Sequence, residues 1–224
     1  MSFSKRIRID KNYIISQNTP TFIIAEIGVN HEGNYQNCLK LINKANKAGA
    51  NAIKIQLAKA ETNYKTNSKS FKIYKKSELS KNEILKLYSY AKRKKITLFA
   101  TCDEYYFQFV KRLNQKLFKI SSSQAQDLNM INKINSIQKP MLISTGMNTS
   151  TDIVELIKFL NKLKNKKIIL MHCVSKYPLK INDINLDMIN FYNEDGIFVV
   201  PPAAKKPKIG KILGHTANTL GLNN

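Results

Sequence analysis

Phe22-Ile23-Ile24-Ala25-Glu26-Ile27-Gly28-Val29-Asn30-His31-Glu32-Gly33 is the stretch on which the fold turns. A nearly apolar run passes into a polar turn, and the turn leads to a stripe of Cys38, Leu41, Ile42, Ala45 and Ala48 stopped by Gly49. Such a run fits a strand buried on both faces, and the stripe fits a helix packed over it. The turn carries neither GxGxxG nor the P-loop pattern, so the phosphate turn usual in an open doubly wound sheet is missing.

Outward from this unit the same rhythm repeats. Strands are expected at Phe22–Ile27, Ala52–Leu57, Thr97–Thr101, Leu117–Ser121, Met141–Ser144 and Ile168–Cys173. Ser80-Lys81-Asn82-Glu83 reads as a capping box opening a helix with Ile84, Leu87, Tyr88 and Ala91 on one side. Tyr106, Phe109, Val110 and Leu113 mark another helix, and Ile153, Leu156, Ile157 and Leu160 one more after Asn148-Thr149-Ser150-Thr151. Consecutive βα units imply a parallel sheet with right-handed crossovers. Polar residues gather at the C-terminal end of every strand, where barrels carry their chemistry. The expected fold is therefore α/β, a parallel (β/α) barrel of TIM type. With 224 residues against the roughly 250 of a complete barrel, about six of eight βα units are expected, the deficit lying at the C-terminal end. Residues 1–20 read as an N-terminal extension, 21–196 as the partial barrel and 197–224 as a divergent tail.

The apolar fraction, 43%, suits a soluble globular chain, and no apolar run approaches the roughly 20 residues of a membrane span. The basic start Met1–Arg6 is not followed by an apolar region, so no signal peptide is expected. Three widely spaced cysteines without a CxxC pair argue against a disulfide framework or zinc knuckle and favour a reducing cytoplasm. The net charge of +22 is spread over the whole chain, and its densest runs, Lys92–Lys95 and Lys164–Lys167, fall where helices should end. The charge is thus read as solvated helix faces, with no nucleic-acid or membrane partner.

In Ile53-Lys54-Ile55-Gln56-Leu57 the alternation turns Lys54 and Gln56 to the barrel interior. A lysine there needs an anion, a carboxylate partner such as Glu26, or a route for its head group to the rim. Lys119 ends the fourth strand in the same manner. The hydroxyl-rich turns Ser121–Ser123 and Ser144–Gly146 each lead toward a helix N-terminus, where free N–H groups and hydroxyls cradle phosphate oxygens. Together they point to a small anionic substrate. His31 and His172 stand open between a catalytic and a structural reading.

These motifs, Glu26–Gly33, Lys54-x-Gln56, Lys119-Ile120-x-Ser122, Ser144-Thr145-Gly146-Met147 and His172-Cys173-Val174-Ser175-x-Tyr177-Pro178, occur in order and resemble the sialic acid synthase family, which includes makers of related nonulosonic acids. The resemblance covers about Phe22 to Asp195. It implies a β/α barrel followed by an antifreeze-like domain, working as a homodimer in polysaccharide biosynthesis. It further implies condensation of phosphoenolpyruvate with an N-acetylated amino sugar such as N-acetylmannosamine, assisted by a divalent metal, manganese or magnesium. By the same resemblance Lys54, Thr101, Lys119, Ser122 and Ser144 hold phosphoenolpyruvate, with Ser175 in the same pocket and Gln56 and Tyr177 nearby. Glu26 is the acid near the sugar aldehyde.

The sequence departs from the family in three places. Ser123-Gln124 stands where a glycine and an acid are usual. The expected Gly-x-Ser-Asp-His-Thr is replaced by Phe198-Val199-Val200-Pro201-Pro202, with His215 in Gly214-His215-Thr216 as a displaced metal ligand. The eighth strand and the antifreeze-like domain have no counterpart before Asn224, so a truncated member is expected, damaged on its metal side. The alternatives are a non-catalytic remnant that binds small anions and a Schiff-base aldolase using Lys54 or Lys119.

Overall fold

The structure, a computed structural model, describes residues 3–176, 179–194 and 198–200. Contacts divide it into two compact units, one formed by Ile23–Gln115 and the other by residues 3–22 with the described residues from 116 onward.

The second of these begins with a short antiparallel hairpin, β1 (Arg6–Arg8) and β2 (Ile14–Ser16), which the N-terminal sequence did not announce. Asp10 turns it by accepting the Asn12 and Tyr13 N–H groups, and Ile7, Ile9 and Ile15 are buried beneath it.

Ile23–Gln115 holds three parallel strands, β3 (Ile24–Gly28), β4 (Ala52–Leu57) and β5 (Leu98–Cys102), paired in sequence order. Helix α1 (Tyr35–Lys47) follows β3, capped by the Asn34 side chain. Two short helices, α2 (Ala60–Asn63) and α3 (Lys69–Lys76), fill the stretch after β4 before α4 (Lys81–Arg93) begins. The Ser80–Glu83 capping box is formed as the sequence predicts. Helix α5 (Glu104–Arg112) starts directly off β5 with Asp103 as its cap.

In the other unit β6 (Phe118–Ile120), β7 (Met141–Ser144), β8 (Ile168–Met171) and β9 (Phe198–Val200) also pair in parallel and in order. Between them lie α6 (Leu128–Asn135), α7 (Ser150–Lys162) and α8 (Met188–Glu194). Of these only α7 was marked out by its sequence. Helix α7 opens on a capping box of Thr149 and Asp152. Strand β9 lies in the stretch read as tail.

Every residue of β5, β7 and β8 is buried, as expected of strands covered on both faces. Among the described residues no helix is long and apolar enough to cross a membrane.

One close approach fixes the loops above β3. Gly33 has φ +72°, and a β-carbon there would lie 2.2 Å from the Lys76 carbonyl oxygen. Gly49 has φ +88° with open space around it. Gly49→Ala is expected to cost about 1 kcal/mol from backbone strain alone, and Gly33→Ala clearly more. Thermal unfolding of both variants measures the difference, and equal losses would show the Gly33 contact to be loose.

Candidate functional site

Register places four expected site residues on one face of strands β3, β4 and β5. Glu26 pairs with Lys54 and Gln56 with Thr101, while Lys54 and Gln56 are two apart along β4. The Lys54 ammonium lies 2.7 Å from the Glu26 carboxylate, both side chains about nine-tenths buried (10% and 9% exposed). The carboxylate partner is thus the one of the sequence-level alternatives that the geometry realises. A register shift between Glu26 and Gly28 re-aims the end of β3, and Gly28 takes φ +58°. Two buried polar atoms on this face, Glu26 Oε1 and Thr101 Oγ1, have no hydrogen-bond partner among the described residues. Orphaned buried polar atoms are uncommon in native proteins and mark where a ligand or water is to be met.

The excursion between β4 and α4 stands over the same strand ends. Lys59 pairs with Glu78 at 2.7 Å, Glu78 Oε1 accepts the Ala60 N–H, and Tyr64 stacks on Tyr74 with centroids 4.6 Å apart. Asp103 follows β5 directly and caps α5. Its position immediately before Glu104 and an apolar helical stripe carries the signal for its capping role.

The other unit gathers a second cluster. Lys119 Nζ donates to Ser144 Oγ at 2.5 Å and to the Ile120 carbonyl at 2.7 Å. Ser122 Oγ accepts the Gly146 N–H at 3.1 Å, tying the turn after β6 to the turn after β7. Cys173 Sγ donates to Ser144 Oγ at 3.3 Å. A β-carbon on Gly146 would meet Ser175 Oγ at 2.9 Å and the Cys173 carbonyl at 3.0 Å, so glycine is what lets the ends of β7 and β8 close together. Lys119, Ser122, Ser144 and Ser175 are therefore assembled. Tyr177 and His215 lie outside the described residues.

Both described histidines serve the backbone. His172 Nε2 donates to the Ile184 carbonyl at 2.7 Å. His31 Nδ1 accepts the Gly33 N–H at 3.2 Å, in a ring with no exposed surface. Burial pushes the His31 pKa from its ordinary 6.5 down to about 4, partly offset by the Glu83 carboxylate. Among the described residues no three His, Cys, Asp or Glu side chains are grouped to hold a metal ion. The described residues do not by themselves make a donor set for the metal that the resemblance implies.

Parallel strands in sequence order with polar ends define the class, a partial (β/α) barrel of TIM type. The N-acetylneuraminic acid synthetase of Leptospira borgpetersenii serovar Hardjo-bovis, solved in complex with citrate, superposes with a TM-score of 0.83 at 30% identity, over 93% of this chain and 74% of that one. The NeuB family model matches residues 41–200, and the chain belongs to the NeuB family. The spore coat polysaccharide biosynthesis protein SpsE of Bacillus subtilis is 30% identical over 190 residues, 80% of this chain and 51% of that one. A pseudaminic acid synthase of Campylobacter jejuni is 33% identical over 180 residues, 74% of this chain and 52% of that one. The chain thus spans about half the length of these two relatives.

Removing one partner of a buried ion pair strands the other charge, so Lys54→Ala is expected to cost about 3–5 kcal/mol of stability. The double variant Glu26→Gln/Lys54→Met is expected to recover most of that loss, as read from urea unfolding. Additive losses would mean that the pair is not a unit.

For His31 the unfolded chain takes up a proton near pH 6.5 that the folded chain refuses until about pH 4. Stability present above pH 6.5 is therefore lost as pH falls toward 4. Urea midpoints measured across that window should fall less steeply for His31→Gln than for the parent, and parallel curves would contradict the burial argument.

Proposed function

We propose that the chain condenses phosphoenolpyruvate with an N-acetylated amino sugar, giving a sialic acid or related nonulosonic acid and releasing phosphate. Membership of the NeuB family, with relatives named for pseudaminic acid synthesis and spore coat polysaccharide biosynthesis, supports the reaction class. The observation that carries the reading is the cluster of Lys119, Ser122 and Ser144, an ammonium and two hydroxyls held at adjacent strand ends.

The enol carbon of phosphoenolpyruvate attacks the aldehyde of the open-chain sugar, a carbon–carbon bond forms, and the aldehyde oxygen takes up a proton. Water then adds to the cation left on the former enol carbon, and phosphate departs by cleavage of its bond to that carbon. In this scheme Lys119 and the hydroxyls of Ser122 and Ser144 bind the anion through charge-assisted hydrogen bonds. Glu26, with Oε1 unfilled beside its lysine partner, is the group suited to orient the aldehyde. Lys54 and Thr101, at the other two positions matched to phosphoenolpyruvate, share its sheet face. Three unpaired thiols suit a reducing, cytoplasmic setting.

Calorimetric titration tests the anion cluster. Phosphoenolpyruvate is expected to bind more tightly than pyruvate, and Lys119→Ala to weaken it by on the order of ten- to a hundred-fold, for contacts worth about 1.5–3 kcal/mol each. Equal affinity for the two ligands, or a Lys119→Ala variant that binds like the parent, would refute the assignment.

A further inference from the structure

We infer that Tyr192 is a positioning residue for the anion cluster, holding the Ser144–Gly146 turn from behind through Thr145. The inference rests on the proposed synthase reading and names a residue outside the cluster that sets its geometry.

Ser144 pairs with Met171, so Thr145 and His172 leave the ends of β7 and β8 side by side, and both are buried. Successive side chains along a strand point to opposite faces. The contacts follow that alternation. Ser144 Oγ meets Lys119 and Cys173, whereas Thr145 Oγ1 lies 3.1 Å from the hydroxyl of Tyr192 on α8.

Proton counting fixes the direction of these bonds. Thr145 Oγ1 donates its single proton to the Met171 carbonyl at 3.0 Å. The Tyr192 hydroxyl is therefore the donor in its bond to Thr145. Burial raises the Tyr192 pKa above its ordinary 10, the bond to Thr145 offsetting part of the rise, so the phenol keeps its proton. The Thr145 N–H also donates to the Met171 carbonyl, at 3.1 Å. A chain of hydrogen bonds thus runs from α8 through the turn after β7 to the end of β8.

Both neighbours of Thr145 in sequence belong to the cluster. Ser144 takes the Lys119 ammonium, and the Gly146 N–H donates to Ser122. The Thr145 carbonyl accepts the Asn148 N–H at 3.1 Å and closes the turn. Tyr192 is itself confined. It is 1% exposed, its ring lies 5.9 Å from Phe191 and 6.1 Å from His172, and His172 ties the same segment through Ile184. Groups that touch a ligand keep their geometry only where their own neighbours hold them, and Tyr192 does this for Thr145.

Tyr192→Phe removes one oxygen and keeps the ring. By calorimetry, phosphoenolpyruvate affinity should fall about five-fold, the effect of one neutral buried hydrogen bond. Pyruvate, which lacks the phosphate, should lose less than about two-fold, so the preference between the two ligands narrows. Thr145→Val is expected to narrow it likewise, and adding Tyr192→Phe to that variant should bring no further loss. Thr145→Ser keeps the hydroxyl and should bind like the parent.

A Tyr192→Phe variant with the parent's full preference overturns the inference. If both affinities fall together with Tm, Tyr192 is merely structural and the inference fails. Additive losses in the double variant would mean that Tyr192 does not act through Thr145. A parent without preference for phosphoenolpyruvate removes the anion cluster itself, and the parent titration alone tells that case from the others.

Discussion

A strand covered on both faces has one place for polar chemistry, its C-terminal end, and that constraint organises the molecule. Along β5, β7 and β8 a polar side chain elsewhere would lose its water without gaining a partner. Two of the polar groups that do enter are answered across neighbouring strands, while Thr101 Oγ1 on β5 is left unmet among the described residues. Glu26 meets Lys54 across neighbouring strands, and Lys119 meets Ser144 in the same manner. Parallel pairing then brings each such set to the same end of its sheet, so burial and function are satisfied by one arrangement.

The opposite ends of the strands are closed by side-chain amides. Asn51 Oδ1 accepts the Ile23 N–H at 2.6 Å just before β4. Gln115, almost wholly buried, bonds both the N–H and the carbonyl of Ala100, serving as a piece of strand made from a side chain. Asn165 donates to the Lys139 carbonyl at 2.7 Å and accepts the Lys167 N–H before β8. The asparagine-rich composition, which says little when counted, is thus partly spent on backbone groups that would otherwise go unpaired.

How much of this was legible follows from the range of the interactions involved. Met141–Ser144 was bounded correctly because burial on both faces writes itself as a nearly continuous apolar run, and Ala52–Leu57 because its apolar residues alternate with only Lys54 and Gln56. Capping at Ser80 was legible because its partner Glu83 is three residues away. The bonds that Asp103 accepts from Lys59 and Asn63 were not, because these residues lie 44 and 40 positions earlier in the chain. Helices α2 and α3 were missed since neither presents an apolar stripe long enough to show a period, α3 burying no residue at all. Strand β9 and hairpin β1–β2 run three residues each, too short for alternation to declare itself. Of the candidate site, the residues were legible as strand-end polar groups, while the pairing of Lys54 with Glu26 was one alternative among three.

The departure at Ser123-Gln124 takes on a physical sense in the same frame. Ser121 Oγ donates to Gln124 Oε1 at 2.8 Å, so the glutamine is folded into its own turn rather than extended from it. A carboxylate at 124 would add negative charge close to the turn that Ser122 anchors to Gly146. The neutral amide of Gln124 adds no such charge.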